Sequence, residues 1–155
     1  MTPLTIAGMT VSLGFRAASA AAPRRARPRA RVQGMSTRSL VVKVTAGTED
    51  AERCNQAFTV AATAAASGVP VSLWLTGEAA WFALPGRGGE VVLPHAMPVA
   101  DMLAGILASG TVTVCTQCAA RRQISPADVL AGVRIAGAAT FIAEVMADGA
   151  QALVY

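Results

Sequence analysis

Hydrophobic and polar positions become regular from Ser39 onward. Leu40-Val41-Val42-Lys43-Val44-Thr45 is a nearly unbroken apolar run, the pattern of a strand buried on both faces. Ala46-Gly47 turns the chain, and Thr48 is expected to cap the helix that follows, with Glu49 and Asp50 favourably placed against its positive end. That helix is predicted to run to about Ser67, because Cys54, Ala57, Phe58, Ala61 and Ala65 recur at spacings of three and four, and Gly68 ends it. Val69 to Leu75 reads as a second buried strand. The three segments make a βαβ unit, so the two strands should be parallel and the crossover right-handed.

The same grammar continues less regularly. A short helix is expected around Ala79 to Leu84, then a loop at Pro85-Gly86-Arg87-Gly88-Gly89, an extended piece from Glu90 to Leu93 and an irregular Pro94-His95-Ala96-Met97-Pro98. Val99 to Ser109 shows a helical stripe of Val99, Met102, Leu103, Ile106 and Leu107, and Gly110 ends it. Thr111 to Val114 is a strand, with Cys115 where it stops. A short helical stretch is expected at Pro126 to Leu130, a helix from about Ala138 to Asp148, and a terminal strand at Ala152-Leu153-Val154. Strands alternating with helices predict an α/β protein, a three-layer α/β/α arrangement on a mainly parallel sheet.

Composition narrows the class. The chain is 54% hydrophobic and 14% charged, yet no run reaches the roughly 18 apolar residues of a spanning helix, so a membrane protein is not expected. The net charge of +4 is unevenly held: seven basic residues and no acid lie between Met1 and Arg38, whereas Ser39 to Tyr155 carries six basic and nine acidic residues, a net −3. Residues 1–38 are therefore read as a disordered basic tail, small, prolyl and Arg-rich, and residues 39–155 as the single folded domain. The leader has the make-up of an organelle transit peptide, but the reading adopted is that translation starts at Met35. The domain itself has no basic face and no aromatic platform, which argues against nucleic acid as a partner.

Three cysteines, an odd number in a domain large enough to fold without staples, point to a reducing, cytoplasmic setting with free thiols. In open α/β sheets, sites lie beyond the carboxyl ends of the strands. Three segments meet there: Ala46-Gly47-Thr48, Thr76-Gly77-Glu78 and Cys115-Thr116-Gln117-Cys118. The last alone carries a nucleophile. A cysteine at a strand end with a helical turn after it faces backbone N–H groups and the positive end of a dipole, both of which favour thiolate. Cys115 and Cys118 are the candidate catalytic residues, with Cys118 one turn away and able to attack a persulfide or sulfenate on Cys115. Arg121 and Arg122 add positive charge; Arg121, Thr76, Glu78 and His95 count as supporting residues. Cys54, on an apolar helix face, is expected to fill space.

Other chemistries are absent or incomplete. Cys-x-x-Cys is half of a zinc site, but there is no second pair, and His95 is the sole histidine available as a third ligand or proton carrier, so neither metal nor cofactor is expected. Gly86-Arg87-Gly88-Gly89 lacks the ending of a phosphate loop. Trp74 and Trp81 are expected in the core or at a subunit interface.

Leu40 to Gly47, Val71 to Glu78, Val114 to Ile124 and Gly132 to Ala138 together resemble the DsrE/DsrF-like family of sulfur-relay and sulfur-oxidation proteins, over nearly all of Ser39 to Tyr155. The resemblance implies a three-layer α/β/α fold, homo-oligomers such as trimers or hexamers, and a late-strand cysteine, here Cys115, that accepts sulfane sulfur as a persulfide from a donor protein and hands it to an acceptor protein. Cys118 departs from the relay members, which often carry alanine there, and keeps open a dithiol redox or metal-sensing module. The third reading is a non-catalytic interaction subunit.

Overall fold

The computed structural model describes residues 38–155; the readings of the basic tail and of Met35 as the start fall outside the described residues. The apolar runs form a five-stranded sheet of β1 (Ser39–Val44), β2 (Val71–Leu75), β3 (Thr111–Cys115), β4 (Val133–Ala136) and β5 (Ala150–Val154). Their order is β4-β3-β2-β1-β5 and every pair is parallel. Helices cover both faces: α1 (Ala51–Ala66) and α2 (Val99–Ser109) pack on one side and α4 (Ala138–Val145) on the other, while the short α3 (Thr116–Arg121) leaves the end of β3.

Alternation along the strands divides the core. Val42, Val44, Leu73, Leu75, Val112 and Val114 are buried in one cluster with Cys54, Ala57, Phe58 and Ala61 of α1 and Val99, Met102 and Ile106 of α2. Phe58 meets Phe82 edge to face with ring centres 5.8 Å apart. In-register Lys43, Trp74, Thr113 and Arg134 lie on the opposite face. There α4 is held by Phe141, whose ring is 5.3 Å from that of Trp74, and by Glu144, which accepts from Ser72 Oγ (2.6 Å) and Trp74 Nε1 (2.7 Å) and pairs with Arg134. No residue of α4 is fully buried, and Ile142 and Met146 are exposed.

Several local expectations are corrected. The N-cap of α1 is Asp50, whose carboxylate accepts the Arg53 N–H, because a 3-10 turn over Thr48–Asp50 pushes the helix start past Thr48; Glu49 instead takes the Gly47 N–H. The expected short helix is a 3-10 helix, Gly77–Ala83, and the piece expected as extended from Glu90 follows another 3-10 helix, Arg87–Glu90. Pro126 to Leu130 is a turn closed by Asp128, which accepts from the Ser125 N–H and hydroxyl. Helix α4 stops at Val145, three residues early, and β5 starts two residues sooner than expected. Strand β4 was not foreseen. It is short, flanked by Gly132 and Gly137, and needs only β3 beside it, with Val133 and Ile135 set against the core and Arg134 turned toward Thr113 and Glu144.

Candidate functional site

The carboxyl ends of β1, β2 and β3 converge through the backbone. Thr76 follows β2 and is buried; its N–H and hydroxyl both donate to the Val44 carbonyl, at 2.9 and 3.0 Å. The Glu78 N–H donates to the Thr45 carbonyl at 3.0 Å. Between them Gly77 adopts φ +52°, and a Cβ there would sit 2.6 Å from the Thr45 oxygen, so the close crossing of the two loops requires glycine. This packing directs the Gly77 N–H at Cys118 Sγ, 3.2 Å away.

Cys115 is the last residue of β3 and the N-cap of α3. Hydroxyls and carboxylates usually fill that position, and their oxygen accepts from the second or third helical N–H. A sulfur stands there instead, without a fully aligned cap hydrogen bond. The side chain is half-buried and the thiol free. Burial works to raise its pKa, but the N–H groups of Cys118 and Gln117, the Cys118 thiol and the charge of Lys43 outweigh burial and hold Cys115 below the ordinary thiol range. Cys54 is the opposite case: burial first, then Glu49 and Asp50, push its thiol up to about 12. The space-filling role expected for Cys54 fits this environment.

The cation acting on Cys115 is therefore Lys43, which the linear reading passed over. Its ammonium lies 5.1 Å from the centre of the Phe141 ring on α4. Lys43 pairs with Trp74, and Trp74 with Thr113, two residues before Cys115, so sheet register sets lysine and thiol on one face. Arg121 is exposed in the last turn of α3. Its neighbour Arg122 is the arginine built into the site: it pairs with Glu78 at 2.5 Å, donates to the Cys118 carbonyl at 3.3 Å and lies 5.7 Å from the Trp81 ring centre. Arg87, paired with Glu90, lies 5.2 Å from the same ring centre. Trp81 thus anchors two guanidinium groups, and Glu78 ties the Gly77 loop to α3.

His95 is not brought to the thiols. It takes φ +61° in an exposed loop and, with Asn55 and Asp101, lines a groove of about 510 Å³ between α1 and α2. No group of three or more His, Cys, Asp or Glu side chains placed to hold a metal occurs among the described residues.

Residues 38–155 match the DsrE/DsrF-like family model. No curated protein matches the chain. Among solved structures, the YchN protein from E. coli superposes with a TM-score of 0.63 at 20% identity, covering 76% of this chain and 99% of that one. A protein of unknown function from Methanobacterium thermoautotrophicum, MTH1491, gives 0.60 at 10% identity with the same coverage. At these identities the two structures speak for the fold.

Proposed function

We propose that this chain, which belongs to the DsrE/DsrF-like family, is a small cytoplasmic thiol protein of sulfur metabolism that takes sulfane sulfur onto Cys115 as a persulfide and passes it on. Family membership supports a sulfur-relay type of role, and the observation that carries the persulfide step is the half-exposed, ionisation-prone sulfur at the N-cap of α3. The Cys115 thiolate attacks the outer sulfur of a donor persulfide, an S–S bond forms to Cys115, and the donor leaves as its thiolate. The new terminal sulfur is anionic, and the first N–H groups of α3 and the ammonium of Lys43 favour negative charge in this region. An acceptor nucleophile then attacks the terminal sulfur and Cys115 departs. A depressed thiol pKa makes it a good leaving group, so the same electrostatics serve loading and unloading. Cys118 assists by acting on the Cys115 sulfur, and Glu78 and Arg122 hold the Gly77 loop against α3.

The partners are sulfur-donor and sulfur-acceptor proteins and further copies of the chain, as a trimer or hexamer. Exposed Ile142, Met146 and Val154, beside an α4 that buries no residue, support self-association. Intact mass spectrometry after incubation with a sulfane-sulfur donor tests the reading. The parent chain gains about 32 Da, one sulfur atom, and Cys115→Ser gains nothing on that residue. A Ser variant that loads as well as the parent overturns the assignment. The second reading, a dithiol–disulfide redox module, is favoured by Cys118 lying one turn from Cys115 with its sulfur engaged by an amide.

A further inference from the structure

We infer that Cys118 gives this chain a second outcome for the same sulfur: reductive release as sulfide, leaving a Cys115–Cys118 disulfide that a reducing dithiol reopens. The inference rests on the persulfide reading and names the product and the co-substrate class that follow from this chain's own second thiol.

Three features carry it. Cys115 at the N-cap and Cys118 at the third helical position stand at the same end of α3. Cα atoms so placed at a helix start are about 5–6 Å apart, inside the span a disulfide bridges. Second, both thiols are free, and the Cys118 sulfur, although buried, is not in purely apolar surroundings. The Gly77 N–H points at it from 3.2 Å. That fixed amide holds the Cys118 sulfur at the end of α3 that Cys115 caps, where a second thiol can reach the first. Third, the amide is placed by a glycine whose φ of +52° and contact with the Thr45 carbonyl leave no room for a side chain, and the ion pair of Glu78 with Arg122 ties the adjoining residue to α3. An arrangement that only filled space around Cys118 would not need a donor there.

The chemistry balances without further reagents until the reset. In the loaded state Cys115 Sγ carries the sulfane sulfur. Cys118 Sγ attacks Cys115 Sγ, forming the Sγ–Sγ bond. The bond from Cys115 Sγ to the outer sulfur breaks, and its electron pair leaves with that sulfur, which takes up the proton given up by the Cys118 thiol and departs as hydrosulfide. The sulfane sulfur is reduced by two electrons and the cysteine pair is oxidised by two. An external dithiol, by thiol–disulfide exchange, restores both thiols and is itself oxidised to its disulfide. Relay to an acceptor and release as sulfide then compete for one loaded state, and the supply of reductant decides how many release cycles follow.

The test uses the full chain, reduced and then exposed to inorganic polysulfide, with excess donor removed by rapid desalting. Sulfide is trapped with a bimane reagent and the protein is weighed intact and after digestion. The parent is expected to release close to one sulfide per loaded chain and to end about 2 Da lighter than its dithiol form, with the linkage mapped to Cys115 and Cys118. Cys118→Ala is expected to keep the added sulfur on Cys115 with a half-life at least tenfold longer, and to form no disulfide with it. Cys118→Ser, which preserves side-chain volume, should behave as Cys118→Ala does. A parent chain that keeps its added sulfur as long as the variants, with no disulfide, overturns this inference and leaves the persulfide reading standing. Failure of every protein to take up sulfur on Cys115 overturns both.

Discussion

Replacing Lys43 by Met removes the cation that, among the described residues, helps hold the Cys115 pKa down, and keeps an unbranched side chain on the same face of the sheet. The register provides the distance. Lys43 and Cys115 are separated by two inter-strand steps of about 4.8 Å and two residues of about 3.3 Å along the strand, roughly 12 Å between backbones. A four-methylene stem brings the ammonium to about 8 Å from the sulfur. Coulomb's law then gives about 0.5 kcal/mol at the dielectric of water and about 2 kcal/mol at an effective value near 20. Cys115 is half-exposed, so the lower part of that range applies, and its pKa should rise toward the ordinary thiol value on losing the charge. The sign is upward because a positive neighbour favours the thiolate. The assay is the pH dependence of iodoacetamide alkylation at Cys115, read as the midpoint. The rate at one pH understates the shift, since a more basic thiolate is also more nucleophilic. At about 8 Å the interaction is comparable to the Debye length at physiological ionic strength, so the shift should be largest at 10 mM salt and nearly vanish at 1 M. Lys43→Arg should restore the parental midpoint. An unchanged midpoint at low salt, or a shift equally large at 1 M, refutes a through-space role for Lys43.

Two further outcomes follow from a buried thiol and a partly buried carboxylate. In native protein an excess of alkylating reagent at pH 8 should modify Cys115 readily and never Cys54, whose thiol is pushed up to about 12 by burial and two carboxylates; peptide mapping that finds Cys54 labelled without denaturant contradicts that environment. Glu144→Gln should cost about 1–3 kcal/mol in urea unfolding near neutral pH, because the carboxylate receives Ser72, Trp74 and Arg134 together. Burial works to raise the pKa of Glu144, but those three donors lower it overall, so its contribution is present above the ordinary carboxylate range and is lost as pH falls through the depressed value. The gap between parent and variant should therefore close on strong acidification. A gap that persists to pH 2 is incompatible with a charge-based anchor.

Elements with a long period or a continuous apolar run were legible in the sequence: β1, α1, β2, α2 and β3 all lie within two residues of where the pattern put them. Strand β4 was not, because four residues with an arginine among them carry no periodic signal, and an edge strand is specified by its neighbour as much as by itself. At the site, the strand-end position of Cys115 could be read from Val114 giving way to Cys115-Thr116-Gln117-Cys118. What surrounds it could not. Gly77 reaches Cys118 from 41 positions away, through two loops whose crossing depends on a positive φ. Lys43 looked like a polar interruption in a buried strand, and only the pairing through Trp74 and Thr113 sets it on the face of the thiol. Arg121 and Arg122 were indistinguishable as neighbours. The sharp chain reversal after α3, with Gln123 at φ +57°, accompanies the seating of Arg122 against Glu78 and Trp81, while Arg121 is left in solvent.

Because Cys115 closes a hydrogen-bonded strand, paired with Ala136 on one side, its sulfur has almost no radius of action. It sits on a fixed mount and not on a swinging arm. Whatever exchanges atoms with it must travel to it and align within bonding distance, so the moving part of any such transfer belongs to the visitor, and the shape of the visitor's approach becomes the filter on who is served.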